Sequence, residues 1–189
     1  MLSIMMDHFH YKIPGWFTFP SLYSFMANFY KEGHFVEVGS FQGNSAAYMA
    51  VEIINSGNNI KLDCIDVWNE FTIGGLHLKS PETYPVDLVH QLFLKNIEPV
   101  NHIVSSRRMG SVEAAQLYQD ESLDFVFIDA NHEYEAVKAD IQAWYPKVKK
   151  GGHIAGHDYI SDDRVRQAVD EFFKGSFTGD ENCWCHYLK

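Results

Sequence analysis

The sequence predicts an α/β protein in which a mainly parallel sheet is covered by helices on both faces. Three observations support this fold class: short apolar runs alternate with helical patterns, glycine and proline mark the boundaries, and polar residues follow the central runs. Such alternation implies βαβ units, whose crossovers make successive strands parallel. The terminal segment CWCHYLK (183–189) is strand-like and is predicted to form an antiparallel edge.

Five strands and five helices are predicted along the chain. The predicted strands are FVEVG (35–39), IKLDCID (60–66), HIVSS (102–106), DFVFIDA (124–130) and GHIAGHD (152–158). The predicted helices are 44–56, 86–97, 111–118, 134–145 and 163–173. The helix 134–145 shows the reasoning, because Val137, Ile141 and Trp144 recur on one face and Pro146 ends the pattern.

The length of 189 residues suits one domain with a single sizeable core. We expect residues 1–189 to form one unit, in which a cover segment (1–33) precedes the core (34–189). No apolar run approaches the roughly 20 residues that span a bilayer, and the amino terminus lacks the pattern of a secretory signal. We therefore expect a cytoplasmic protein without a membrane partner.

The composition narrows the classes of ligand. The formal net charge is −10, and the basic clusters are confined to Arg107–Arg108 and 147–150. A nucleic-acid partner is not expected, because binding a phosphate backbone needs a basic surface. The three cysteines are an odd number and do not suggest a disulfide framework. A small neutral or cationic ligand fits this charge better than a polyanion does.

The stretch FVEVGSFQGNSAAYMA (35–50) predicts a strand, a glycine corner and a helix. A dinucleotide fingerprint, G-x-G-x-x-G, uses its middle glycine to let backbone N–H groups approach a pyrophosphate. Here Phe41 stands at that middle position, and Glu37 precedes Gly39 where its carboxylate would repel phosphate. The corner therefore indicates a ligand that lacks phosphate and carries positive charge.

S-adenosylmethionine meets both conditions, because it has an ammonium group at its methionine end and a sulfonium as its reactive centre. We expect Glu37 to face the ammonium group. Gly39 and Gly43 allow close approach of the backbone, and Ser40 and Ser45 supply hydroxyl groups.

Further cofactor contacts are expected at the ends of later strands. Asp66 ends the second strand, where an acid accepts hydrogen bonds from both ribose hydroxyls; its other interpretation is a helix cap. We expect Trp68 and the segment 109–112, which contains Ser111, to lie around the adenine. Asp129, at the end of the fourth strand, completes the predicted cofactor set.

Three stretches resemble successive motifs of one family: VEVGSFQGNSAAYMA, CIDVW and DFVFIDANHEYEAVKADIQAWYPKVKKGGHIAGHDY. They are similar to class I S-adenosylmethionine-dependent methyltransferases, in particular to the small-molecule subgroup of macrocin and catechol O-methyltransferase-like enzymes. The resemblance spans roughly residues 13–188 and is most specific over 124–159. It implies a Rossmann-like sandwich with a seven-stranded, mainly parallel sheet and methyl transfer to an oxygen of a small molecule. Phe41 departs from the family pattern, which has a glycine there.

The resemblance also implies a divalent metal. Metal-dependent relatives place their ligands at the ends of the fourth and fifth strands, which correspond here to Asp129 and the pair His157–Asp158. The two carboxylates suit magnesium, whereas His157 widens the choice toward manganese, iron or zinc. His132 lies where relatives hold a catalytic base, and the resemblance assigns it that role together with Asp129 as a catalytic residue. A helix-capping histidine is the alternative.

The acceptor is left open. The aromatic stretch HFHYKIPGWFTFP (8–20) is expected to cover the mouth of the site, with Trp16, Phe17 and Phe19 as walls or simply as cover for a sheet face. It is also a surface on which a second subunit can pack. The insert 69–85 is predicted as a loop near the cofactor.

Two other functions stay open at this point. One is a nucleotide- or NAD-binding oxidoreductase, against which Phe41 argues. The other is a non-catalytic binding module that has kept the fold, against which the acids at three successive strand ends argue.

Overall fold

A computed structural model describes residues 5–68, 72–73, 76–77 and 87–189. The strands are β1 (Glu32–Val38), β2 (Asn59–Asp66), β3 (Thr72–Ile73), β4 (Leu76–His77), β5 (Val104–Arg108), β6 (Leu123–Ile128), β7 (Val148–Gly156), β8 (Thr178–Asp180) and β9 (Cys183–Tyr187). The helices are α1 (Pro20–Phe29), α2 (Asn44–Ser56), α3 (Leu88–Asn96), α4 (Ser111–Ala115), α5 (Tyr134–Trp144) and α6 (Asp163–Phe173). The predicted loop 69–85 lies outside the described residues except for β3 and β4.

Seven strands form one sheet in the order β5-β2-β1-β6-β7-β9-β8. The pairs from β5 to β7 are parallel, whereas β9 runs antiparallel to β7 and β8 runs antiparallel to β9. The predicted fold class is confirmed. β3 and β4 form a separate antiparallel pair.

The strand order reverses between β1 and β6. From β1 the chain proceeds through β2 to β5 on one side, and β6 then returns to the other side of β1. Val38 pairs with Ile128, so the carboxyl ends of these two strands meet. In open parallel sheets the crevice at such a reversal is the usual ligand site.

Several element boundaries differ from the sequence prediction, and some elements were not predicted. β5 ends at Arg108 and not at residue 106, because Arg107 and Arg108 continue the pairing with β2. α4 ends at Ala115, three residues early. The helix α1 was not predicted, although Pro20 at its first turn is a helix-start signal; the dense aromatic residues around it hide the helical period.

The core has two layers, one on each face of the sheet. One layer contains the buried rings of Phe35, Phe93 and Phe125 beneath α1, α2 and α3. The other lies beneath α4, α5 and α6, and it contains Ile141 and Trp144 on the predicted inner face of α5. Both faces of the parallel sheet are therefore shielded from water, as parallel sheets require.

The amino-terminal segment runs along α2 toward the end of β7. Its contacts with α2 include the pair His8–Glu52, and Asn44 donates to the Ile13 carbonyl at 2.6 Å. Near α1, the Thr18 hydroxyl lies 2.9 Å from Nε2 of His157. The segment thus connects the glycine corner with the carboxyl end of β7. In the described ranges, no helix has both the length and the apolar character needed to cross a bilayer.

Candidate cofactor and metal site

Gly39 fixes the junction between β1 and β6. Its φ angle is +92°, and a Cβ atom there would lie 2.0 Å from the carbonyl oxygen of Asp129. Its N–H donates to the Ile65 carbonyl at 2.8 Å, while Asp129 donates its N–H to the Val38 carbonyl at 2.8 Å. Only glycine lets the three strand ends approach so closely. The fold therefore requires a glycine at position 39, independently of its predicted role in cofactor binding.

Phe41 has a left-handed backbone conformation. This conformation favours glycine, which accounts for the glycine that the family pattern has at this position. Its φ angle is +45°, a region that side chains disfavour. Two contacts hold it: its N–H donates to Asp66 at 2.9 Å, and its carbonyl accepts from the Trp68 indole at 2.6 Å. The corner then reaches Gly43, which has φ +88° and precedes α2. A tight turn thus forms without the middle glycine.

Glu37 is a buried carboxylate at the start of this corner. It is 2% exposed, and its Oε2 accepts a hydrogen bond from the Tyr23 hydroxyl at 2.7 Å. Burial raises the pKa of Glu37 to about 7, although the Tyr23 hydrogen bond opposes that rise. A nearby cation would strongly stabilise the ionised form of this carboxylate, because a buried charge without a partner is costly.

Unpartnered polar atoms concentrate at the glycine corner. Among the described residues, seven buried side-chain nitrogen or oxygen atoms have no hydrogen-bond partner. Four of them belong to the stretch 37–44: Glu37 Oε1, Ser40 Oγ, Gln42 Nε2 and Asn44 Oδ1. Because buried polar groups are nearly always paired, such a cluster indicates a polar ligand.

Asp66 and Trp68 lie together beneath the corner. One carboxylate oxygen of Asp66 accepts from Phe41 N–H and the other from Trp68 N–H at 2.8 Å. Trp68 is 2% exposed, and its ring stacks on His90 with centroids 4.5 Å apart. Asp66 therefore ties the corner to β2. Adenine packing on Trp68 stays a prediction.

The two other predicted hydroxyls occupy different positions. Ser45 lies half-buried in the first turn of α2, next to the corner. Ser111 begins α4 on the opposite face of the sheet, where its Oγ accepts from the Trp144 indole at 2.9 Å. That hydrogen bond positions the start of α4, and the predicted adenine contact of Ser111 is not tested by it.

A second polar cluster lies at the ends of β6 and β7. The ligand atoms of Asp129, His132 and Asp158 all lie within 4.8 Å of one another. His132 Nε2 is 3.2 Å from Asp158 Oδ2 and 3.6 Å from Asp129 Oδ1. Two carboxylates and one imidazole form a donor set that suits divalent cations.

His157 borders this cluster. Its Nδ1 lies 3.4 Å from Asp158 Oδ1 and 3.9 Å from Asp129 Oδ1, and its Nε2 faces Thr18. The structure therefore brings all three predicted metal residues together and adds His132, which the sequence placed beside them as a base.

Hydrogen bonds hold the cluster in place. Asp158 has φ +60°, and its Oδ1 accepts from the hydroxyl of Ser161 at 2.6 Å and from the amide of Asn182 at 3.1 Å. Its pKa is lowered, chiefly by the hydrogen bond from His157. The pKa of His132 is raised, first by its hydrogen bond to Asp129 and then by the charge of Asp158. The Asp158 carboxylate is thus ionised at neutral pH, as a metal ligand must be.

Sequence reasoning missed Tyr23 and Thr18. Both belong to the part of the chain around α1, and their contacts with Glu37 and His157 join residues far apart in sequence. The one available signal was Pro20, which marks the start of α1 and would have placed Tyr23 on a helix.

The cavity described here lies away from the predicted site residues. A cavity of about 980 Å³ lies between α1 and the strands β8 and β9, lined in part by Phe25, Met26 and Cys185. None of the predicted cofactor or metal residues lines it. The candidate site is defined instead by the polar clusters at the carboxyl ends of the strands.

Comparison with known proteins agrees with this geometry. The family model described as "Methyltransferase domain" matches residues 36–159. No curated protein sequence matches the chain. The fold is similar to that of the O-methyltransferase NovP, with 16% identity, a TM-score of 0.64, and coverage of 90% of this chain and 79% of that one. It is also similar to the SAH-bound methyltransferase PaMTH1 of Podospora anserina, with 15% identity, a TM-score of 0.61, and coverage of 90% and 77%.

At these identities the two structures establish the fold alone. The family model spans more than half of the chain, and it includes the glycine corner, Asp66 and the cluster at the ends of β6 and β7. The chain therefore belongs to the methyltransferase-domain family.

Proposed function

We propose that the protein transfers a methyl group from S-adenosylmethionine to an oxygen of a small molecule, with the help of a divalent cation. The observation that carries the proposal is the group of unpartnered buried polar atoms at the glycine corner, headed by Glu37 Oε1. The names of similar structures, such as the O-methyltransferase NovP, support oxygen as the accepting atom.

The glycine corner fits the methionine end of the cofactor. A carboxylate with its pKa near 7 favours an ammonium partner, and the Ser40 hydroxyl beside it can accept or donate a hydrogen bond to the same ligand. Asp66 stands at the end of β2, where an acid can accept hydrogen bonds from the ribose hydroxyls. The acid at position 37 disfavours NAD, whose pyrophosphate would approach the same corner.

The residues Asp129, Asp158 and His132 fit a divalent cation at the acceptor side. Bound there, a cation would lower the pKa of an acceptor hydroxyl. The protein's own contribution is to hold the acceptor oxygen in line with the methyl group and to receive its proton. Thr18 orients His157 beside this position, and Trp16, which is 62% exposed, lies next to Phe41 as a wall for an aromatic acceptor.

The binding test uses S-adenosylmethionine labelled in its methyl group. We expect saturable binding of the cofactor and transfer of label to phenolic, catecholic or sugar hydroxyls. Binding of NAD in place of S-adenosylmethionine would contradict the proposal in favour of an oxidoreductase. Binding of S-adenosylmethionine to the protein with no transfer to any hydroxyl in the set would contradict the oxygen acceptor.

Metal dependence is tested separately with Asp158→Asn. EDTA should abolish transfer and added Mg²⁺ should restore it. In Asp158→Asn the affinity for Mn²⁺, measured by calorimetry, should fall at least about tenfold. Asp163→Asn is the matched control, because Asp163 is an exposed acid on α6 outside the cluster. Full activity in EDTA would rule out the metal.

His132→Gln distinguishes the two roles of His132. If His132 is a metal ligand, Mn²⁺ affinity falls together with activity. If His132 is the base that the sequence suggested, Mn²⁺ affinity stays within about twofold of wild type while the turnover rate falls about 10²-fold or more. The distances of 3.2 and 3.6 Å to the two carboxylates favour the ligand role.

A further inference from the structure

We infer that Tyr23 is a positioning residue of the cofactor site: its hydroxyl holds Glu37 Oε2 and thereby leaves Oε1 for the ammonium group of the cofactor. This inference rests on the proposed binding of S-adenosylmethionine. It gives α1, which precedes the matched family region, a direct part in cofactor binding.

The geometry leaves the Tyr23 ring little freedom. The side chain is 1% exposed, and its ring contacts Phe19, Phe127 and Phe125 at centroid distances of 5.0, 5.0 and 6.2 Å. Aromatic packing of this kind fixes both torsion angles of the side chain. The hydroxyl is therefore delivered to Glu37 as a fixed donor, with an O···O distance of 2.7 Å.

The two oxygens of the Glu37 carboxylate have different surroundings. Burial and the nearby Glu37 raise the pKa of Tyr23 well above its ordinary value, so its hydroxyl remains a donor at every physiological pH. Oε2 of Glu37 is thus occupied, whereas Oε1 and the neighbouring Ser40 Oγ have no partner among the described residues. An ammonium group carries three donors and can satisfy both atoms.

Among the described residues, none of the groups that face Glu37 carries a positive charge. The groups that face it are Tyr23 from α1, Ser40 from the corner, Ser45 from α2, Cys64 from β2 and Asp129 after β6. None of these five is a cation, and Asp129 raises the pKa of Glu37 further. The hydrogen bond from Tyr23 is therefore the largest of the contributions that stabilise the ionised carboxylate before the cofactor arrives, ahead of those from Ser40 and Ser45.

The test is Tyr23→Phe, which keeps the ring and removes the donor. Without that donor, Glu37 ionises at higher pH, so cofactor binding should require higher pH as well. We expect the affinity for S-adenosylhomocysteine, measured by calorimetry in EDTA, to fall about tenfold at pH 6, which is about 1.4 kcal/mol. At pH 8.5 the two proteins should agree within about twofold, because Glu37 is then ionised in both.

Tyr48→Phe is the matched control. Tyr48 also lies beside α1, but its hydroxyl pairs with Ser24 at 2.8 Å and not with Glu37. The ratio of its affinity to that of wild type should not change with pH. An equal loss of affinity by Tyr23→Phe at every pH, or no loss, would overturn the inference.

Wild-type protein provides a second measurement if Tyr23→Phe does not fold. Calorimetry in buffers of different ionisation enthalpy should show release of close to one proton per bound ligand at pH 6 and almost none at pH 8.5. Binding without proton release would contradict the inference while leaving the proposed function intact. Absence of binding at every pH would contradict the proposed function itself.

Discussion

Glu37 shows at the scale of a single residue how a functional group can oppose stability. A neutral carboxyl is tolerated at this buried site, whereas the ionised form has no cationic partner among the described residues. The pKa is raised from 4.5 to about 7 in the folded protein. Below pH 4.5 Glu37 is therefore neutral in both states and stability is unaffected. Between pH 4.5 and 7 stability is lost as pH rises, because the unfolded chain ionises first.

The substitution Glu37→Gln tests this cost. At pH 8 the variant should be more stable than wild type by up to about 3 kcal/mol, since one pKa unit corresponds to about 1.36 kcal/mol. At pH 4 the difference should vanish. Urea unfolding at both pH values measures it, and affinity for S-adenosylmethionine should fall at least about tenfold. A variant less stable than wild type at pH 8 would show that Glu37 supports the fold in its ionised form.

At the scale of elements, the junction of β1 and β6 is the most constrained part of the site. Val38 and Asp129 are linked by a hydrogen bond of 2.8 Å, and Gly39 sits against the Asp129 carbonyl. This contact holds the glycine corner next to Asp129 of the acidic cluster. The same junction lies where the strand order reverses, so fold and site depend on one backbone contact.

Gly39→Ala should disrupt this junction. The variant combines a strained φ angle of +92° with a Cβ atom 2.0 Å from a backbone oxygen, so we expect a loss of more than about 3 kcal/mol in the free energy of unfolding. Gly57→Ala is the matched control: Gly57 has φ +69°, but no atom lies within 4 Å of its Cβ position. It should lose only about 1 kcal/mol. Equal losses in thermal denaturation would show that the close approach at Gly39 is unimportant.

At the scale of the whole molecule, the protein is strongly acidic. The net charge of −10 and the buried Glu37 both disfavour polyphosphate ligands. Ligand binding to the folded state alone adds stability by mass action, about 2.7 kcal/mol at a hundred times the dissociation constant.

This stabilisation by ligand binding can be measured by thermal denaturation with two ligands. Saturating S-adenosylmethionine should raise the melting temperature by about 5–10 °C, given roughly 2–4 °C per kcal/mol for a domain of this size. NAD at the same concentration should produce no shift. A rise in melting temperature with NAD alone would contradict the assignment of the glycine corner to S-adenosylmethionine.

Much of the fold was predictable from local patterns. The period of Val137, Ile141 and Trp144 defines the inner face of α5, and apolar runs with polar ends define the parallel strands, because periodicity and burial are linked directly. The helix α1 escaped prediction, because its aromatic residues lie close together in sequence and are sorted into buried and exposed only by packing. Phe25 is 53% exposed, whereas Met26 is 1% exposed.

The candidate site, like the fold, was predictable from the sequence only in part. The sequence alone determined which residues end the strands, and therefore that Glu37, Asp66, Asp129 and Asp158 share one edge of a parallel sheet. Only the tertiary structure decided their partners: Tyr23 on Glu37, and His132 between Asp129 and Asp158. The physical reason is that strand direction follows from the chain itself, whereas a hydrogen bond between distant residues depends on how helices and loops pack across that edge.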